Sequence, residues 1–160
     1  MRLVQEIGIK PGARVLVRCD LNLPQDDSGN FTDFFRLESS LPTIDYLLDL
    51  EATVFIVAHL GSPKAKVDPK LSLKALAPII QDQLDTEVQF IEDPFDRSQD
   101  LCSKNGVFLI ENLRFWQGEE SNSSEFAAEL VDSTGAEIFI QDAFGVIHRE
   151  HPHLDLLPEK

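Results

Sequence analysis

Polar residues able to hold a small anion recur at four places along this 160-residue chain, each directly behind a short apolar run. The first is Asp20-Leu21-Asn22-Leu23-Pro24, the second His59-Leu60-Gly61-Ser62-Pro63-Lys64 and the third Glu111-Asn112-Leu113-Arg114. The last is Gln141-Asp142-Ala143-Phe144-Gly145, followed by His148-Arg149-Glu150-His151. Of the seven arginines, three (Arg36, Arg114 and Arg149) fall in such loops or at a helix start. A guanidinium is a planar fork of donors that matches two oxygens of a carboxylate or phosphate at once, so three on one rim form a cationic cup. The competing role for each is an ion pair with one of the chain's many acidic groups. Arg18 lies inside an apolar run, where a buried or edge ion pair is its expected role.

Two other chemistries are weaker. His148, His151 and His153, with Glu150 and Asp142, are zinc-ligand types, yet their HxxHxH spacing is not a strong zinc pattern and Pro152 opposes a helix there. No metal ligand is therefore expected; a metal-dependent hydrolase would need stoichiometric zinc. Neither GxxxxGK[ST] nor GxGxxG occurs, so the chain offers an anion site without a nucleotide site.

The elements that would position these groups alternate. Arg14 to Cys19, Thr53 to Ala58, Glu87 to Ile91, Val107 to Ile110 and Glu137 to Ile140 are short, rich in β-branched and aromatic residues, and bounded by turn formers, which predicts buried strands. Leu41, Ile44, Leu47 and Leu48 make one apolar face and predict a helix over about 38–50, with Pro42 tolerated only in its first turn. A second helix is expected over about 75–84, with Pro78 near its start. A third follows Asn122-Ser123-Ser124-Glu125, read as a capping box; Phe126, Leu130 and Val131 form its buried face and Gly135 its stop. The segment from Asp93 to Asn105 reads as loop with one short helix at most. Strand and helix in alternation predict an α/β fold: a parallel β-sheet flanked by helices, Rossmann-like and three-layered, in a single domain. In such a sheet ligands bind beyond the carboxyl ends of the strands, where the polar stretches fall.

Composition narrows the class. With 42% hydrophobic residues the chain can bury a core, and two cysteines, Cys19 and Cys102, are too few for a disulfide scaffold. Both are read as ordinary free thiols in a reducing compartment. A net charge of -14 opposes general binding to nucleic acid or anionic membrane. No signal-peptide h-region follows Met1-Arg2 and no apolar run is long enough for a span, so a soluble cytoplasmic protein is expected.

VLVRCDLNLP (15–24), HLGSPK (59–64), LIENLRFWQGEE (109–120) and DAFGVIHREH (142–151) resemble, in order and spacing, the amino-terminal half of phosphoglycerate kinases. The resemblance runs over nearly the whole chain. It implies a domain of residues 1–160 that binds 3-phosphoglycerate, with Mg-ATP or Mg-ADP held by a second, nucleotide-binding domain brought up by hinge closure. It further implies that Asp20 and Asn22 hold the substrate's hydroxyl and carboxylate region, and that His59, with the Leu60-Gly61-Ser62 turn, contacts it as well. Arg114 and Arg149 would hold the 3-phosphate. Arg36 would stand beside the transferring phosphoryl group as the catalytic residue, answering charge that develops on its oxygens.

Three departures bear on that implication. Where the family usually reads HLGRPK this chain has Ser62, and losing one charge-assisted donor costs about 1.5–3 kcal/mol of binding; Lys64 or Lys66 would supply part of it. Leu23 replaces a smaller residue, which concerns loop packing. The sequence stops near the expected interdomain connection, so a nucleotide domain is expected to be missing and phosphoryl transfer with it. Without the returning chain end, the half is expected to expose apolar surface and to self-associate. The alternative is a stand-alone degenerate domain that binds a phosphorylated acid or a protein without catalysis.

Overall fold

In a computed structural model, which describes residues 4–142, the expected strands form one parallel sheet. They are β1 (Arg14–Cys19), β2 (Thr53–Val57), β3 (Val88–Ile91), β4 (Val107–Ile110) and β5 (Ile138–Asp142), in the order β3-β4-β2-β1-β5. Register runs Val15↔Val54 and Val15↔Ile138 on the two sides of β1, and Val54↔Val107 between β2 and β4.

Alternation along the strands feeds two cores. Val15, Val17, Val54, Ile56, Val107 and Leu109 face one side, against α1 (Phe35–Asp49) and α2 (Ala77–Leu84) through Leu37, Ile44, Leu47 and Ile80. Leu16, Phe55, Val57, Phe108 and Ile110 face the other, where Leu113 and Leu130 cover them. Phe55 and Phe108 stack there with ring centroids 4.9 Å apart. The second face is covered by α3 (Gln117–Glu120) and α4 (Ser124–Thr134). At the amino edge of the sheet Arg14 stitches this layer down, donating to the carbonyls of Thr134 at 2.7 Å and Lys104 at 2.8 Å while lying over the Phe55 ring.

Three local expectations shift and one holds. Pro42 sits in the middle of α1 rather than in its first turn; the buried stripe of Leu37, Ile44 and Leu47 holds the helix together across the lost hydrogen bond. Pro78 does fall at the start of α2, behind a 3-10 turn at Leu73–Leu76. The cap of α4 is Ser123, whose hydroxyl accepts from the Phe126 amide at 3.2 Å, and Glu125 accepts from that hydroxyl instead of closing a capping box. The loop after β3 carries two 3-10 turns, Arg97–Gln99 and Leu101–Ser103.

The helices after β1 and β2 lie on one face and those after β4 on the other. Since β2 and β4 are adjacent and the chain leaves them toward opposite faces, a crevice opens between their carboxyl ends.

Candidate functional site

Two of the four polar stretches meet in that crevice and a third closes its side. Behind β1, Asp20 accepts a 2.6 Å bond from the Arg36 guanidinium, which reaches it from the first turn of α1. The same carboxylate accepts from the Asn22 amide, which turns the loop back on itself. Arg36 remains half exposed. An ion pair this open contributes little stability, but it aims the guanidinium over the end of β1.

Behind β2 the chain passes from buried His59 and Leu60 to Gly61 and exposed Ser62. Gly61 takes φ +63, and a Cβ there would lie 2.8 Å from a methyl of Leu71, so this turn favours glycine on two counts. Its amide donates to the Asn22 side-chain oxygen at 2.9 Å, and its carbonyl accepts from the Arg114 guanidinium at 2.7 Å. The Ser62 hydroxyl lies 3.4 Å from the same guanidinium. Arg114, from the turn after β4, is thereby laid across the crevice onto the β2 loop.

The floor is charged and buried. Arg18, 4% exposed, points from β1 to the face carrying α3, where one nitrogen meets Glu119 at 2.6 Å. This is the buried ion pair expected of an arginine inside a strand. The other terminal nitrogen of Arg18 and Nδ1 of His59 are buried without a hydrogen-bond partner among the described residues. Burial, then the nearby guanidinium groups of Arg114 and Arg18, push the imidazole down to about 4, so His59 is neutral at pH 7. It can offer a hydrogen bond there but no charge.

Glu111 and Asn112, to which the sequence assigned no task, hold these parts together. Both are buried, and three of the four hydrogen-bonding positions of the Asn112 side chain are used: it donates to the carbonyls of Leu60 (2.7 Å) and Leu71 (2.9 Å) and accepts from the Arg114 amide (3.1 Å). The Glu111 carboxylate accepts from the Leu73 amide, the Asn112 amide and the Ser72 hydroxyl. Their position directly behind β4 was the available signal. Nothing in sequence distinguished buried Glu119 from exposed Glu120.

The structure brings Asp20, Asn22, Arg36, His59, Leu60, Gly61, Ser62 and Arg114 to the carboxyl edge of β1, β2 and β4. Arg149 and the histidine cluster of His148, His151 and His153 lie outside the described residues. Leu23 is a core residue, 3% exposed, in keeping with a packing role. The thiol of Cys19 is buried and pushed up to about 12 by that burial, while Cys102 is exposed. Among the described residues no three His, Cys, Asp or Glu side chains come together to hold a metal ion. The sequence also lacks the phosphate-cradling glycine motifs GxxxxGK[ST] and GxGxxG.

The structure is thus a parallel α/β sheet with arginines, a carboxamide and a neutral histidine gathered at its switch point, the place where sheets of this class bind ligands. The sequence model described as "Phosphoglycerate kinase" matches residues 4–159. A phosphoglycerate kinase of Nautilia profundicola is 41% identical over 96% of this chain and 39% of its own length, and one of Aquifex aeolicus is 40% identical over 99% and 40%. The crystal structure of the Pyrococcus horikoshii enzyme superimposes with a TM-score of 0.81 at 28% identity, covering 95% of this chain and 39% of that one. The structure of the Coxiella burnetii enzyme gives 0.76 at 31% identity, covering 88% and 35%. The chain belongs to the phosphoglycerate kinase family and spans about two fifths of the length of the curated relatives it matches. No helix among the described residues is long and apolar enough to cross a membrane.

Proposed function

We propose that residues 1–160 are the 3-phosphoglycerate-binding half of a cytoplasmic phosphoglycerate kinase. In this role they hold 3-phosphoglycerate, whose carboxylate takes a phosphoryl group from ATP to give 1,3-bisphosphoglycerate; in the other direction they hold 1,3-bisphosphoglycerate while its acyl phosphate passes to ADP. The observation that carries the reading is the crossing of Arg114 onto Gly61, with Asn22 on the other side of the same turn and the Asp20–Arg36 pair beside it. Asn22 and Asp20 meet the hydroxyl and carboxylate end of the acid. His59 adds an uncharged hydrogen bond. Arg114 takes the 3-phosphate with Arg149, and Arg36 faces the carboxylate that receives the transferred group.

The acceptor carboxylate is itself the nucleophile, so no protein base is needed. The work of these residues is positioning and charge stabilisation. Ser62, where the family pattern has an arginine, leaves the phosphate to fewer cationic donors, and its hydroxyl instead lies against Arg114.

Calorimetric titration of the 160-residue chain with 3-phosphoglycerate tests the reading. Saturable binding is expected, and Arg114→Ala should weaken it about 10- to 100-fold, the worth of one charge-assisted donor. No binding by a folded chain, or binding indifferent to Arg114→Ala, overturns it.

A further inference from the structure

The crevice between β2 and β4 has two walls, and one buried side chain joins them. Asn112 is fully buried, and its amide nitrogen reaches Leu60 O on the β2 wall and Leu71 O behind it, while its oxygen holds the Arg114 amide on the β4 wall. The Leu60–Gly61 peptide it fixes carries the amide that binds Asn22, and the backbone it fixes carries the guanidinium that binds the Gly61 carbonyl. The Leu113 amide adds a 3.1 Å bond to the Ala58 carbonyl, closing the same junction one residue on. Glu111 anchors the other end: its carboxylate accepts from the Asn112 amide and from the Leu73 amide, which ties the Asn112 backbone to the segment behind the β2 wall.

We propose that Asn112 is a positioning residue: without touching a ligand, it sets the separation between the Asn22–Gly61 side of the site and the Arg114 guanidinium. This rests on the reading of that site as one for a phosphorylated acid. A ligand bound across both walls is sensitive to their spacing, because a displacement of about 1 Å is enough to spoil an oriented polar contact. A buried asparagine that served stability alone would leave affinity untouched in any variant that still folds.

The test uses the 160-residue chain with Asn112→Ala and the milder Asn112→Ser, whose hydroxyl can still donate to one of the two carbonyls. Thr134→Val is the control: that hydroxyl is buried at the opposite edge of the sheet, bonded to the Leu130 carbonyl within its own helix. Three quantities are read: thermal midpoint, affinity for 3-phosphoglycerate, and the Arg114 Nε–H signal in a nitrogen-proton correlation spectrum. At equal loss of midpoint, Asn112→Ser is expected to bind about tenfold more weakly and to shift or broaden the Arg114 signal. Thr134→Val is expected to change neither. If Asn112→Ala does not fold, Asn112→Ser decides. Unchanged affinity and an unchanged Arg114 signal in a folded Asn112 variant overturn the proposal, as does an equal effect from Thr134→Val. If the unsubstituted chain does not bind 3-phosphoglycerate, the functional reading fails by itself, and the ligand-free Arg114 signal still decides whether Asn112 positions the guanidinium.

Discussion

His59 shows how one residue's surroundings set its chemistry. A histidine in water is half protonated near pH 6.5, but here burial and two neighbouring guanidinium groups hold it neutral down to about pH 4. The sign of the linkage follows. The unfolded chain takes up the proton first as pH falls, so the stabilising effect is complete above about 6.5 and is lost progressively toward 4. Between pH 7 and pH 5 the chain is expected to lose about 2 kcal/mol of unfolding free energy from this group, read by urea titration at the two values. His59→Gln should flatten that dependence; an equal pH loss in the variant would assign it to other groups. Arg36 belongs to the same scale. Its 2.6 Å bond to Asp20 looks like the ion pair that competes with a binding role, yet it leaves the guanidinium half exposed at the strand end. Pairing and a place at the site are compatible here, and sequence could not show this.

At the level of elements, the floor depends on how closely α3 approaches α4. Gly118 stands where a Cβ would be 2.5 Å from the Cβ of Phe126, so no other residue fits without moving a helix. That approach brings the next residue, Glu119, under Arg18. Gly118→Ala is therefore expected to cost about 1–3 kcal/mol by overpacking and to disturb the Arg18–Glu119 pair, measured as a lower midpoint in chemical denaturation. An unchanged midpoint would mean that α3 can shift freely and that the floor is not rigid. Pro42 makes the converse point. Local propensity places a proline in a first turn, but burial of Leu37, Ile44 and Leu47 on the sheet outweighs one missing backbone bond in the middle of a fifteen-residue helix.

At the scale of the whole molecule, the proposed function assigns these residues the acceptor acid, and the chain spans about two fifths of the length of its curated relatives. A coupled assay of the 160-residue chain with 1,3-bisphosphoglycerate and Mg-ADP is accordingly expected to show no turnover, with activity restored by a separately supplied nucleotide-binding half. Clear ATP formation by the chain alone would refute the division of labour. Among the described residues the edge strand β5 pairs only with β1, and its Ile138, Phe139 and Ile140 are half buried. Phe35 is 72% exposed beside Arg36. Concentration-dependent association in sedimentation experiments is expected from such surface, and a strictly monomeric chain over a wide concentration range would count against it.

The sequence alone determined the architecture and where most of the candidate residues fall on it. Short β-branched runs between amphipathic stretches allow little but a parallel sheet with helices on both faces, and the polar residues behind those runs fall at its carboxyl edge. The four motifs that carry the family resemblance are contiguous and survive as strings. Contacts between separate strings were not legible: Arg114 on Gly61, Asn112 between Leu60 and Leu71, Glu119 beneath Arg18. Each joins residues tens of positions apart, and each depends on which strands are neighbours and to which face each helix goes. Adjacency of β2 and β4, with exits to opposite faces, is a property of the packed sheet. It is settled by burying two apolar faces at once, which no local segment of the chain can do.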